Sequence, residues 1–123
     1  MIINSKLLPK PIVLNTSDIT SSGGTLTQSI ANFKRIKVYY SGDDGVRNYV
    51  EYYNNGVSLI TATLNILSVG GGMGYLRTGQ LSISNKTVTL SRLNMILLKN
   101  NASPTITENT SVLVIKRIEG YTD

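Results

Sequence analysis

Six consecutive residues, Arg35 to Tyr40, alternate cleanly, with Ile36, Val38 and Tyr40 on one side and Arg35, Lys37 and Tyr39 on the other. A period of two predicts a half-buried strand, because successive side chains leave a pleated backbone on opposite faces. Ser41-Gly42-Asp43-Asp44-Gly45 has the composition of a tight hairpin, and Val46 to Tyr53 returns with Val46, Val50 and Tyr52 on one face. Asn54-Asn55-Gly56 predicts a second turn. Ser58 to Leu67 then sets Ile60, Ala62, Leu64 and Ile66 inward and Thr61, Thr63 and Asn65 outward. These segments read as a three-strand meander, with Gly23 to Gly45 as one edge of the domain.

Elsewhere the pattern is shorter-ranged. Pro9 and Pro11 flank Lys10 and favour an extended arm over a central strand. Ile12 to Leu14 reads as a short first strand, Asn15 to Gly24 as a loop, and Thr25 to Ile30 as a polar, weakly alternating strand. Gly70 to Gly74 interrupts the apolar pattern. Shorter strands are predicted at Gln80 to Ser84, Thr87 to Leu90 and Thr105 to Thr107, and the length of Leu93 to Lys99 favours a strand over a helical turn. Ser111 to Glu119 is apolar on both faces, which suits the middle of a sheet or a contact with a partner chain.

About eight to ten short strands with turns between them predict an all-β fold, an antiparallel β-sandwich or jelly-roll-like barrel with little or no helix. The 123 residues suit a single β domain over 1–123, with 1–22 as an extended arm or loop-rich lead-in.

Composition adds limits. The chain is 41% hydrophobic and 15% charged, which is ordinary for a globular protein. A net charge of +5 directs attention to acidic partners such as nucleic acid or a phosphate-bearing polymer, yet the cations are dispersed, with small groups only at Lys34, Arg35, Lys37 and at Lys116, Arg117. The opening MIINSKLLPKP lacks a basic region followed by a long apolar run, so synthesis in the cytoplasm without a signal peptide is expected, and no membrane span is foreseen.

Histidine and cysteine are both absent, which removes Ser-His-Asp and Cys-His catalysis and zinc sites built on imidazole or thiolate. No metal site, cofactor or catalytic residue is predicted. Asp43-Asp44-Gly45 lacks the spaced acidic positions of a calcium loop and reads as a turn. The glycines from Gly70 to Gly74 lack the lysine and hydroxyl of a phosphate-binding loop and read as a flexible loop or close backbone approach. Glu51 with a partner carboxylate is the one hydrolase arrangement the composition allows, and nothing in the spacing pairs it.

Seven tyrosines remain, each offering a flat apolar face and a hydroxyl, which suits sugars and protein interfaces. Tyr39, Tyr49, Tyr53 and Tyr75 are the ones the alternation exposes, and with Arg47 and Arg77 they form the candidate ligand-binding set. Tyr39 and the outward residues of Val46 to Tyr53 are expected to be neighbours across the first hairpin, near Asn48. Ile12, Leu14, Val112 and Val114, on the arm and the final strand, are the candidate oligomer contacts.

Thr25-Leu26-Thr27-Gln28-Ser29-Ile30-Ala31-Asn32-Phe33-Lys34-Arg35-Ile36-Lys37-Val38-Tyr39-Tyr40 resembles a module of tail-fibre, baseplate and minor structural proteins in phages and prophages of Gram-positive bacteria. The closing Val112 to Tyr121, which ends in Ile118-Glu119-Gly120-Tyr121, is similar to that family's terminal strand, and the match is loose between the two ends. The resemblance implies a non-enzymatic all-β module displayed on a virion, often trimeric, that contributes to host-surface attachment or fibre assembly. Expected partners are other copies of the chain as a homo-oligomer, trimer favoured, other tail or baseplate proteins, and a host cell-wall saccharide. The alternative from the residues is a single-stranded nucleic-acid binder using the basic strand, with Tyr39 and Tyr53 as stacking platforms.

Overall fold

The inward residues of the alternating segments meet in one interior between two sheets. A computed structural model describes residues 10–100, 102–108 and 110–123. Its strands are β1 (Ile12–Val13), β2 (Gly24–Thr25), β3 (Arg35–Gly42), β4 (Arg47–Tyr53), β5 (Leu59–Gly70), β6 (Met73–Ser84), β7 (Thr87–Lys99), β8 (Thr105–Thr107) and β9 (Leu113–Tyr121). Sheet A runs β1-β9-β3-β4, and sheet B runs β2-β7-β6-β5 with β8 also on β7. All pairings are antiparallel. The fold is an antiparallel β-sandwich. The first nine residues of the expected arm lie outside the described residues.

Ile36, Val38 and Tyr40 of β3 and Leu113, Ile115 and Ile118 of β9 face Ile60, Leu64 and Ile66 of β5, Leu81 and Ile83 of β6, and Val88, Leu90 and Leu93 of β7, all buried. Removing this much branched aliphatic surface from water is the main stabilising contribution, roughly 1.5–3 kcal/mol for each fully buried side chain.

Several expectations are corrected. Gly23 to Gly45 is not one edge: only β2 lies at a sheet margin, while β3 runs inside sheet A between β9 and β4. The meander ends after two strands, because β5 pairs with β6 in sheet B and not with β4. Asn54 stands at the corner between the two sheets. Its side chain is 2% exposed and its amide nitrogen donates to the carbonyls of Ile30 (2.6 Å), Phe33 (3.2 Å) and Val57 (2.8 Å). Asn55 and Gly56 take left-handed φ values of 47° and 77°, so the chain turns a corner from one sheet to the other.

The polar strand foreseen over Thr25 to Ile30 shrinks to Gly24–Thr25, followed by a bend and a 3₁₀ turn at Ile30–Asn32 capped by Ser29. Gln80 to Ser84 and Thr87 to Leu90 are parts of strands 12 and 13 residues long. Gly71 and Gly72, with φ of 59° and 75°, form the two-residue turn between β5 and β6, since a turn with both central residues left-handed matches the twist of its strands. Leu14 and Val112, foreseen as oligomer contacts, are 0% and 1% exposed within this chain, so their side chains are already consumed in its core. Ile12 stays exposed on β1, and Val114 is half-buried.

Two contacts bind the ends of the domain to its middle. The Phe33 ring covers Gly120 so closely that a Cβ there would come within 2.6 Å of the ring. In the hairpin between β3 and β4, Asp43 receives a hydrogen bond from Arg77 Nε, and Asp44 accepts one from Ser68 Oγ at 2.6 Å, clasping sheet A to β5 and β6.

Candidate binding face

The outward side of sheet A carries the chemistry, and the strand register arranges it in three rows. Tyr121, Arg35 and Tyr53 form one row, Glu119, Lys37 and Glu51 the next, and Arg117, Tyr39 and Tyr49 the third. Each row spans β9, β3 and β4, so residues far apart in sequence stand one strand spacing apart. The same alternation that buries Ile36, Val38 and Tyr40 fixes this side.

Charges and rings interlock. The Arg35 guanidinium lies 4.1 Å from the centroid of the Tyr121 ring, donates to Glu51, and has Nη2 3.3 Å from Asp123 Oδ1. The hydrogen bond to Glu51 is the main reason Arg35 sits above its ordinary pKa. Lys37 Nζ stands 4.3 Å from the Tyr49 centroid and 5.0 Å from that of Tyr39, and its pKa is raised chiefly through its hydrogen bond with Tyr39. The Tyr39 and Tyr49 rings are 5.9 Å apart and tilted by 42°. Glu119 is only 4% exposed, held by Arg117 Nη2 at 2.7 Å and by the Tyr121 hydroxyl, which donates to it at 3.0 Å. Burial, then that hydrogen bond, raises the Tyr121 pKa.

Beside the third row a groove of about 550 Å³ opens, lined by Tyr39, Tyr40, Arg47, Asn48, Lys116, Arg117 and Glu119. A bulge shapes it. Tyr39 pairs with Arg117 and Tyr40 with Ile115, which leaves Lys116 as an extra residue on β9. Consecutive strand residues normally face opposite ways, and the bulge instead brings both cations to the groove. The Asn15 side chain holds the irregular backbone, donating to Lys116 O at 3.0 Å and accepting from Ile118 N at 2.8 Å. Lys116 Nζ pairs with Asp18 at 2.7 Å. Arg47 makes no ion pair among the described residues.

Of the six candidate ligand residues, Tyr39 and Arg47 line the groove, Tyr49 adjoins Tyr39, and Tyr53, 80% exposed, stands at the far end of the same face. Tyr75 and Arg77 are on β6 in the other sheet and do not join them. Arg77 is 6% exposed and turned inward, its guanidinium between Asp43 and Asp44. Glu51, the conceivable hydrolase carboxylate, is bound by Arg35. Among the described residues no three or more Asp or Glu side chains gather to hold a metal ion.

Comparison with known protein-family models and with curated proteins finds no match for this chain. Its functional reading therefore rests on this face and on the resemblance of its two ends.

Lys116, Arg117, Glu119 and Tyr121 belong to the face without having stood out as candidates. The available signal was the Lys116-Arg117 doublet inside an otherwise apolar strand, which makes sense once a bulge is present. In chemical terms, exposed rings beside guanidinium groups suit the apolar faces of sugar rings and their hydroxyl or anionic substituents. The volume lies within the usual range for small-molecule and saccharide sites.

Proposed function

We propose that this chain is a non-enzymatic tail-associated module of phage or prophage origin that contributes to host-surface attachment, taking a cell-wall saccharide on the outward face of sheet A. The observation that carries this reading is the groove beside the Tyr39-Tyr49 pair, where Arg47, without an ion pair among the described residues, and the paired Arg117 and Lys116 flank an aromatic wall. Tyrosine rings would stack on sugar, and Arg47 would bind a phosphate, carboxylate or hydroxyl substituent. The resemblance of Thr25 to Tyr40 and of Val112 to Tyr121 to tail-fibre and baseplate modules supports the setting. A role in fibre assembly with other tail proteins, as part of a homo-oligomer, belongs to the same reading.

The Lys37 amine between two tyrosine rings favours a second reading, a single-stranded nucleic-acid binder. Counting charge weighs against it. Arg35, Arg117 and Lys116 already face carboxylates, leaving Lys37 and Arg47 as the cations of this face without one among the described residues. Neutralising two phosphates gives a log–log salt slope of only about −1.4.

Binding to an array of cell-wall saccharides and to a labelled oligonucleotide, each at low and high salt, tests the proposal. Saccharide binding that persists in high salt is expected. Oligonucleotide binding with a salt slope steeper than about −3 and no saccharide binding would replace it with the second reading.

A further inference from the structure

The long strands of sheet B continue past the core. The core ends at the row formed by Ile66, Arg77 and Met95, yet β5 and β6 run on to their glycine turn and β7 on to Lys99. On the side facing away from sheet A, the register of this extension is apolar. Leu67, Leu76, Ile96 and Ile106 form one row across four strands, and Val69, Gly74 and Leu98 form the next. Leu67 is 59% exposed, Val69 79%, Leu98 41% and Ile106 58%. The same side over the core is polar, carrying Thr61, Thr63, Gln80, Ser82 and Thr89 as an ordinary solvated sheet face does. The change from polar to apolar falls where the core ends, so it does not serve the packing of this chain.

The margin of the patch is an open strand edge. β5 is the last strand of sheet B, and in an antiparallel ladder alternate residues direct their N–H and C=O away from the partner strand. Asn65 is such a residue, and Tyr40 and Asn48 satisfy it: its N–H donates to the Tyr40 hydroxyl at 3.2 Å, and its carbonyl accepts from Tyr40 at 2.9 Å and Asn48 at 3.1 Å. Leu67 and Val69 share its parity and so turn their backbone groups to the same edge. A long apolar edge is one that proteins normally cover.

We propose that two copies of this chain pack these apolar rows of sheet B face to face about a two-fold axis, with the β5 edge at Leu67 and Val69 on the margin of the contact. Three features select a second copy as the occupant. A patch on an outward sheet face packed against its own copy is isologous, as a two-fold interface requires. Neither apolar row, nor the adjoining Asn65-Thr78-Asn94 row, contains a charged residue, so two chains of net charge +5 can meet there without like charges in contact. The fractional exposures amount to about 450 Å² of apolar surface per copy, and with its polar rim a symmetrical pair would cover about 1,000 Å², the lower bound for a specific if weak interface.

Sedimentation equilibrium of the full chain, from about 1 µM to 1 mM, tests the pairing. The average mass of the native chain should rise from 13.4 kDa toward twice that value. Val69→Lys and Leu67→Lys change exposed positions and should remain monomeric through the range with unchanged circular dichroism and melting temperature. Arg47→Ala, on the opposite sheet, should pair like the native chain, which separates this inference from saccharide binding. A native chain that stays monomeric at 1 mM, or a Val69→Lys variant that pairs as well as the native chain, overturns the proposal. So does pairing that Arg47→Ala abolishes.

Discussion

The ring of Phe33 lies on Gly120, with the space for a Cβ already taken by ring carbons 2.6–2.7 Å away. Phe33 is 2% exposed, and Gly120 sits in β9 opposite Ile36 of β3 and Ile12 of β1. Phe33, which leads into β3, and Gly120, near the end of β9, are thus the two halves of one contact.

Gly120→Ala should destabilise the domain by about 1–3 kcal/mol, the usual cost of forcing an extra carbon into a packed site. The sign is diagnostic. In an open strand the same change would stabilise by roughly 0.5–1 kcal/mol through lost unfolded-state freedom. Urea denaturation decides between them, and Phe33→Leu in the same background should recover part of the loss by freeing space.

Tyr40 joins the sheets through polar groups. Tyr40→Phe leaves the Asn65 N–H without its partner at 3.2 Å, while the Asn65 carbonyl keeps Asn48. A loss of about 1–3 kcal/mol is expected on chemical denaturation. Burial raises the Tyr40 pKa above 10.0, against the hydrogen bond from Asn65. A group whose folded pKa is raised contributes stability that is complete below its unfolded pKa and is lost as pH rises through the folded one. Native stability should therefore decline above about pH 10, and Tyr40→Phe should lessen that decline.

Acid should act through the clasp at the hairpin. The Ser68 hydroxyl, more than the neighbouring Arg77, holds Asp44 below its ordinary pKa of 3.8. A depressed carboxylate contributes stability present above its unfolded pKa and lost as pH falls through the folded value. Denaturation midpoints should fall below about pH 4, and Asp44→Asn should be less stable at neutral pH with a flatter acid limb. Because Asp44 is well exposed to solvent, the difference should stay below about 1 kcal/mol.

The short-period pattern was enough to place β3, β4 and the inward set of β5, because Ile36, Val38, Ile60, Leu64 and Ile66 alternate without interruption. β6 was harder to read. Two of its inward positions hold Arg77 and Gly79, a charge that is buried only because Asp43 and Asp44 reach it, and a glycine whose space Leu93 and Leu113 fill from other strands. In β7 a bulge with Arg92 at φ 51° shifts the alternation, so Leu90 and Leu93 both face inward three residues apart. The corner at Asn54 depends on three carbonyls brought together only by folding. The binding face was legible as far as Tyr39, Arg47 and Tyr49, which share one hairpin. Its other wall depended on the β3–β9 register and the bulge at Lys116, neither of which local spacing encodes.

The central claim concerns that face, and backbone amide NMR of the chain titrated with a soluble cell-wall saccharide fragment tests it most directly. Shift changes should concentrate at Tyr39, Arg47, Tyr49, Lys116 and Arg117, and Arg47→Ala with Tyr39→Ala should weaken binding at least tenfold without lowering the melting temperature. Shifts centred on Leu67 to Leu76, or binding unchanged in that double variant, would contradict the account.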